Sequence, residues 1–168
     1  MAVLIEPRPW LRTAAFSLSL RGGVDVEPER LGGLSGLVCE MVQRGAGRHS
    51  SRDLVAIQDN LGVDRSSGVN TATVSFGAAM PAESLADAIR LYADVVRRPH
   101  LPQDQLEDAR MMSMQELRAM EDEPTHRVMQ RLRRMHYGDR LGRTNYGSRE
   151  GIESISHADV REFFQSHY

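Results

Sequence analysis

The sequence predicts an α+β fold: a two-layer sandwich in which one mostly antiparallel sheet carries helices packed on one of its faces. Three observations predict it. Thr13–Leu20 and Thr71–Ala79 alternate apolar residues with small or polar ones, as half-buried strands do. Several longer stretches repeat apolar residues at helical spacing. The elements run strand, helix, helix, hairpin, helix, with glycine or proline between them.

In chain order, Ala2–Ile5 is a short apolar run that Pro7 and Pro9 break. Thr13–Leu20 follows as a strand with Ala14, Phe16, Leu18 and Leu20 on its inner face, and Gly22–Gly23 ends it. An acidic loop bearing Asp25, Glu27 and Glu29 leads into Leu31–Gly45. That stretch reads as a helix with Leu34, Leu37, Val38, Met41 and Val42 on one wide apolar face. Arg44 and Gly45 supply a cationic last turn and a glycine stop. Ser50 or Ser51 caps a second helix, Arg52–Leu61, with Leu54, Val55, Ile57 and Leu61 inward and Gly62 after it.

Val63–Met80 reads as a hairpin whose second arm places Val74, Phe76 and Ala78 on one face. Ala82–Arg98 is an amphipathic helix with Leu85, Ala88, Ile89, Tyr92, Val95 and Val96 inside. Pro99 and Pro102 bracket a turn before a helix from Gln103 to about Glu121. In that helix Leu106, Met111, Met114 and Leu117 share helical spacing, and Met111, Met112, Met114 and Met120 read as adaptable core packing. Thr125–His136 reads as a helix with Val128, Leu132 and Met135 inward and Arg127, Arg131, Arg133 and Arg134 on a solvated face. Tyr137–Gly151 reads as a glycine-rich loop, and Ser156–His167 as a final helix capped by Ser156, with Val160, Phe163 and Phe164 inside.

Composition narrows the function classes. At 168 residues the chain suits a single domain with a real core. A net charge of −2, with arginines interspersed among acids and no stacking aromatics between them, gives no reason to expect nucleic acid. The one cysteine, Cys39, excludes an internal disulfide and reads as small buried filler. No apolar run approaches a membrane span, and Met1–Trp10 lacks the charged start and apolar core of a signal peptide. Cytoplasm is the default location, with a periplasmic or exported one open if a signal has been removed. The six histidines, His49, His100, His126, His136, His157 and His167, never stand three or four apart on one helix, and none is assigned to a metal. No Gly-x-Ser-x-Gly occurs, and Cys39 has no evident basic partner.

The stretch LGGLSGLVCEMVQRG resembles the metal-site helix of the pitrilysin-like (insulinase-like) metallopeptidases, inverted zincins whose helix reads roughly G-x-A-H-F-L-E-H-M-x-F-K-G. Gly33, Leu34, Ser35, Met41, Arg44 and Gly45 fit that frame. Further agreement lies in VVRRPHLPQDQLEDA, in Glu121-Asp122-Glu123-Pro124, and in Leu141, Gly142, Arg143, Gly147 and Ile152, so the resemblance spans essentially the whole chain. It implies that residues 1–168 form one N-terminal module of that family, truncated before its last strand, and that Ser66-Ser67-Gly68 lies near a substrate-binding edge strand.

The resemblance also places the zinc chemistry. Gly36 stands where the first histidine would be, Cys39 where the glutamate base would be, and Glu40 where the second histidine would be. Glu116, with 75 residues between it and Glu40, occupies the place of the glutamate that completes the zinc site. Read from the residues alone, Glu116 is a helix-surface acid beside Arg118 or Arg110. With one carboxylate kept and the histidine pair gone, no catalytic residue, no metal ligand and no cofactor is expected, whereas active relatives hold zinc. The implied function is a non-catalytic peptidase-like module that walls a peptide-binding chamber. Its partner would be a second, zinc-bearing module of the family or another copy of the chain, with extended peptides as guests. The alternatives are a metallopeptidase whose altered site is Cys39, Glu40 and Glu116, and a scaffold subunit unrelated to proteolysis.

Overall fold

The computed structural model describes residues 2–168; Met1, the first residue of the stretch weighed as a leader, lies outside them. Three strands, β1 (Thr13–Arg21), β2 (Asp64–Val69) and β3 (Thr73–Pro81), form one antiparallel sheet in the order β1-β3-β2. Register follows from the alternation. Phe16 lies opposite Ala78, Leu18 opposite Phe76 and Leu20 opposite Val74, so both strands turn their apolar residues to one side. Ala15, Ser17 and Ser19 are exposed on the other side, and the helices cover only the apolar face. The α+β sandwich is the architecture of the chain.

The seven α-helices among the described residues are α1 (Leu34–Met41), α2 (Ser51–Asn60), α3 (Leu85–Arg97), α4 (Leu106–Glu121), α5 (Pro124–Leu141), α6 (Arg149–Ser154) and α7 (His157–His167). α1 is the hub, touching β2, α4, α6 and α7. Six of its eight residues are buried: Leu34, Ser35, Leu37, Val38, Cys39 and Met41. Only Gly36 and Glu40 keep partial access to solvent. It is shorter than the stretch Leu31–Gly45. Gly33 sits at φ +104, a value a right-handed helix cannot contain, so Leu31 belongs to a separate 3-10 turn and the helix starts after the glycine.

The start is capped from a distance. The buried Glu27 carboxylate accepts hydrogen bonds from the Gly33 and Ser35 amides at 3.2 and 2.7 Å. Ser35 Oγ donates to the Gly23 carbonyl at 3.0 Å. Arg143 donates to the Glu27 carbonyl at 3.1 Å and pairs with Glu29 at 3.2 Å, so the acidic loop and the segment before α6 lock together. Ser50 and Ser156 form capping boxes with Asp53 and Asp159 at the starts of α2 and α7.

Several side chains expected inside lie outside. Val55 and Ile89 are exposed, while Gln58 and Leu91 are buried in their stead. An apolar arc read from spacing is uncertain by one position at its edge. Gln58 can go under because its Oε1 accepts from Arg65 at 3.0 Å. Met111 and Met112 are exposed as well and Met114 and Met120 only half-buried, so the methionine stripe is not core; Leu106, Ala109 and Leu117 are the buried residues of α4.

The largest departure is α5. It continues to Leu141 through a break at Gly138 (φ 74, ψ −178), and α6 begins at Arg149, so the stretch Tyr137–Gly151 is only partly loop. α5 buries no residue. Val128, Leu132 and Met135 are 66%, 55% and 80% exposed, the reverse of the inward orientation their spacing predicts.

Candidate functional site

A cleft of about 600 Å³ opens beside α1. α1 contributes Gly36, Cys39 and Glu40, and α4 contributes Met112 and Glu116. The end of β2 adds Ser67, Gly68 and Val69, and the segment before α6 adds Asn145 and Tyr146. The fold thus brings together all four positions singled out in the sequence, Gly36, Cys39, Glu40 and Glu116.

Gly36 offers no donor. A Cβ built there would stand 3.7 Å from the Asn145 carbonyl, an ordinary contact, so the position could carry a side chain. Cys39 is 5% exposed. Burial pushes its thiol up to about 12, the negative charges of Glu40 and Glu116 push the same way, and a hydrogen bond with Ser67 opposes them. Cys39 is therefore a neutral thiol. Glu40 accepts from Arg44 one turn on, at 3.1 Å. Glu116 titrates above the ordinary carboxylate range, first because the cleft desolvates it and second because Glu40 faces it. Arg110 does not pair with Glu116. It is held by Glu107 and by the carbonyls of Ile152 and Ile155.

Zinc does not fit these residues. A catalytic zinc takes three deprotonated protein ligands. Here one candidate is a buried thiol, one carboxylate is spent on Arg44, and no histidine lines the cleft. Among the described residues no three His, Cys, Asp or Glu side chains are grouped to hold a metal ion. The histidines serve elsewhere: His100 Nε2 bonds the Gly47 carbonyl at 2.8 Å and His157 Nε2 the Leu101 carbonyl at 2.7 Å.

The cleft is instead rich in hydrogen-bonding groups. Among the described residues β2 pairs only with β3, leaving its other edge free. The Asn70 amide donates to the Thr73 carbonyl at the turn, so alternate residues back along β2 bond to β3 and the backbone groups of Arg65, Ser67 and Val69 point away from it. The Val69 carbonyl is taken by Asn145 Nδ2 at 3.0 Å, which ties the segment before α6 to the end of that edge. Gln43 Nε2 reaches the Cys39 carbonyl at 2.9 Å and Ser67 Oγ at 3.2 Å, fixing α1 to β2. Gln43, Asn145 and Tyr146 were invisible as site residues in the sequence. Only the matches at Arg143 and Gly147, on either side of Asn145 and Tyr146, could have drawn attention to that loop.

The family model described as insulinase, peptidase family M16, matches residues 2–149. This chain belongs to that family. Among its relatives, human mitochondrial-processing peptidase subunit beta is 25% identical over 94% of this chain and 32% of its own length. The uncharacterized zinc protease YmxG of Bacillus subtilis is 21% identical over 99% of the chain and 41% of its own length. Among solved structures, an M16 inactive domain from Pseudomonas fluorescens superposes with a TM-score of 0.82 at 19% identity, covering 95% of this chain and 39% of that one. The periplasmic protease PqqL from Escherichia coli gives 0.81 at 15% identity, covering 92% of this chain and 18% of that one. These likenesses establish the M16 fold. The chain spans about a third of the length of the curated relatives it matches first. As an M16 module, it has no helix among the described residues long and apolar enough to cross a membrane.

Proposed function

We propose that this chain is a non-catalytic M16 module that walls a peptide-binding chamber opposite a zinc-bearing module of the same family. The observation that carries the reading is the cleft itself. It brings the four family positions together, yet Gly36 supplies no ligand and Cys39 supplies a thiol that stays protonated. A peptide lies extended along the free edge of β2, bonding to the outward groups of Arg65 and Ser67. Main-chain bonds of this kind need no catalytic side chain. The likeness to a solved domain described as inactive, and to a relative named as a subunit, supports a module that works through a partner.

The test joins metal content to edge binding. The purified chain should carry far less than one zinc, and should raise or redirect the peptidase activity of a co-purified zinc-bearing relative. Ser67→Pro removes an outward amide while sparing the ladder to β3, so it should abolish that effect and leave the fold intact. About one zinc per chain, lost on Glu116→Gln, would overturn the reading. So would activity of the relative that is indifferent to this chain.

A further inference from the structure

α5 is packed inside out. His126 and Gln130 are its half-buried positions, and the His126 ring meets Tyr146 edge-on at 5.3 Å. Its polar side therefore faces the body of the module. Val128, Leu132 and Met135, at i, i+4 and i+7, form a single seam turned to solvent. Met129, 48% exposed, broadens the seam on one flank. An amphipathic helix ordinarily buries this stripe, because removing such side chains from water is favourable. None of the described residues covers it.

The charge beside the seam is predominantly positive. Arg127 and Arg131 lie on one flank, both exposed. Neither makes an ion pair among the described residues, whereas Arg134 is paired with Asp139 at 2.9 Å. A groove of about 570 Å³ runs along the Arg127 flank, lined by Arg127, Arg131, Arg134, Gln130, Met135 and Glu121. With Arg134 paired to Asp139, the two guanidiniums of Arg127 and Arg131 outweigh the one carboxylate of Glu121 and favour an anionic guest.

We infer that the solvent-facing seam of α5 is a docking site for an acidic amphipathic helix of another protein, whose apolar residues pack on Val128, Leu132 and Met135 and whose carboxylates seat against Arg127 and Arg131. A second copy of this chain is disfavoured, because a two-fold contact through α5 would bring arginine against arginine. A lipid surface is disfavoured because the seam holds a single leucine and no Trp or Phe to anchor it in an interface. Adaptable methionines suit a protein groove. The site lies on a different element from the cleft, so it stands or falls independently of the peptide chamber.

The probe is a fluorescein-labelled 18-residue helical peptide with leucines at i, i+4 and i+7 flanked by glutamates, titrated with the chain and read by anisotropy. Binding should saturate, weaken on the order of tenfold or more with Leu132→Glu and with Arg131→Glu, and fall steeply with salt. A lysine-flanked version of the peptide should prefer Arg127→Glu/Arg131→Glu over the unaltered chain. All these substitutions lie on exposed positions, and circular dichroism checks that the fold survives. No saturable binding, binding unchanged by Leu132→Glu, or equal binding of the glutamate- and lysine-flanked peptides would overturn the inference. Self-association abolished by Leu132→Glu, or binding only to phosphatidylglycerol vesicles, would assign the seam to another occupant and overturn it as well.

Discussion

At the residue scale, two buried groups decide how α1 is held and what it can do. Glu27 supplies the acceptor for the Gly33 and Ser35 amides, which are buried and would otherwise lack one. Glu27→Ala should destabilise the chain by about 2–4 kcal/mol, because orphaned buried donors cost about 1–3 kcal/mol each and relaxation recovers part. Glu27→Gln, which keeps one acceptor, should cost less; urea denaturation of both variants checks the order. Cys39 carries a pH signature. Its folded-state value is about 12 against an ordinary 9. An acid whose folded value is raised keeps its proton longer in the native state, so the native state binds more protons and stability falls as pH rises between the two values. From about pH 9 upward this site should remove stability at a slope approaching about 1.4 kcal/mol per pH unit. That slope should vanish in Cys39→Ala, as urea midpoints from about pH 8 to about pH 10 would show. The native thiol should also resist a disulfide reagent near about pH 8 and react once the chain is unfolded.

At the scale of elements, α4 and α5 divide the work unequally. Leu117 is 5% exposed on α4, whereas Leu132 is 55% exposed on α5. Leu117→Ala should therefore cost about 2–5 kcal/mol by leaving a cavity, while Leu132→Ala should stay within about 0.5 kcal/mol. Equal losses in thermal or urea unfolding would contradict the inside-out placement of α5. Gly138, at φ 74 and ψ −178, occupies backbone space that is essentially glycine's alone. A Cβ there would meet nothing within 4 Å, so Gly138→Ala isolates the conformational penalty, about 1–3 kcal/mol, from any clash.

At the scale of the whole molecule, the cleft gathers the four positions that the family frame joins, and a zinc site should be buildable on them. Gly36→His alone should bind no stoichiometric zinc, since Cys39 and Glu40 still occupy the other two positions. The triple variant Gly36→His, Cys39→Glu, Glu40→His places two histidines one turn apart beside Glu116, and should take up about one zinc per chain. Adding Glu116→Gln should lower that affinity by about tenfold or more, as elemental analysis and a competing chelator would measure. A Cβ at position 36 meets only the Asn145 carbonyl, at 3.7 Å, so the first substitution begins without a backbone clash. Failure of the triple variant to bind zinc while remaining folded would mean that the four positions converge less closely than the cleft lining indicates.

The sequence by itself determined strands β1 and β3, the order of the elements, the cap at Ser156, a serine cap at Ser50 or Ser51, and the family frame around Gly33–Gly45. These are local matters. Alternation, capping and glycine placement act over a few residues, so a linear reading captures them. It also carried the coincidence of Gly36, Cys39, Glu40 and Glu116, though only because a family frame joins positions far apart in the chain. Tertiary structure decided the rest. Whether α5 turns its apolar stripe inward depends on what surface is available to receive it, and the body offers Tyr146 and a polar loop rather than an apolar wall. The late start of α1 depends on Gly33 adopting φ +104 beneath Ile152 and on Glu27 reaching two amides across the loop. The state of Cys39 depends on how many atoms exclude water from it. Each of these is set by neighbours distant in sequence, and periodicity reports which residues share a face without reporting what that face will meet.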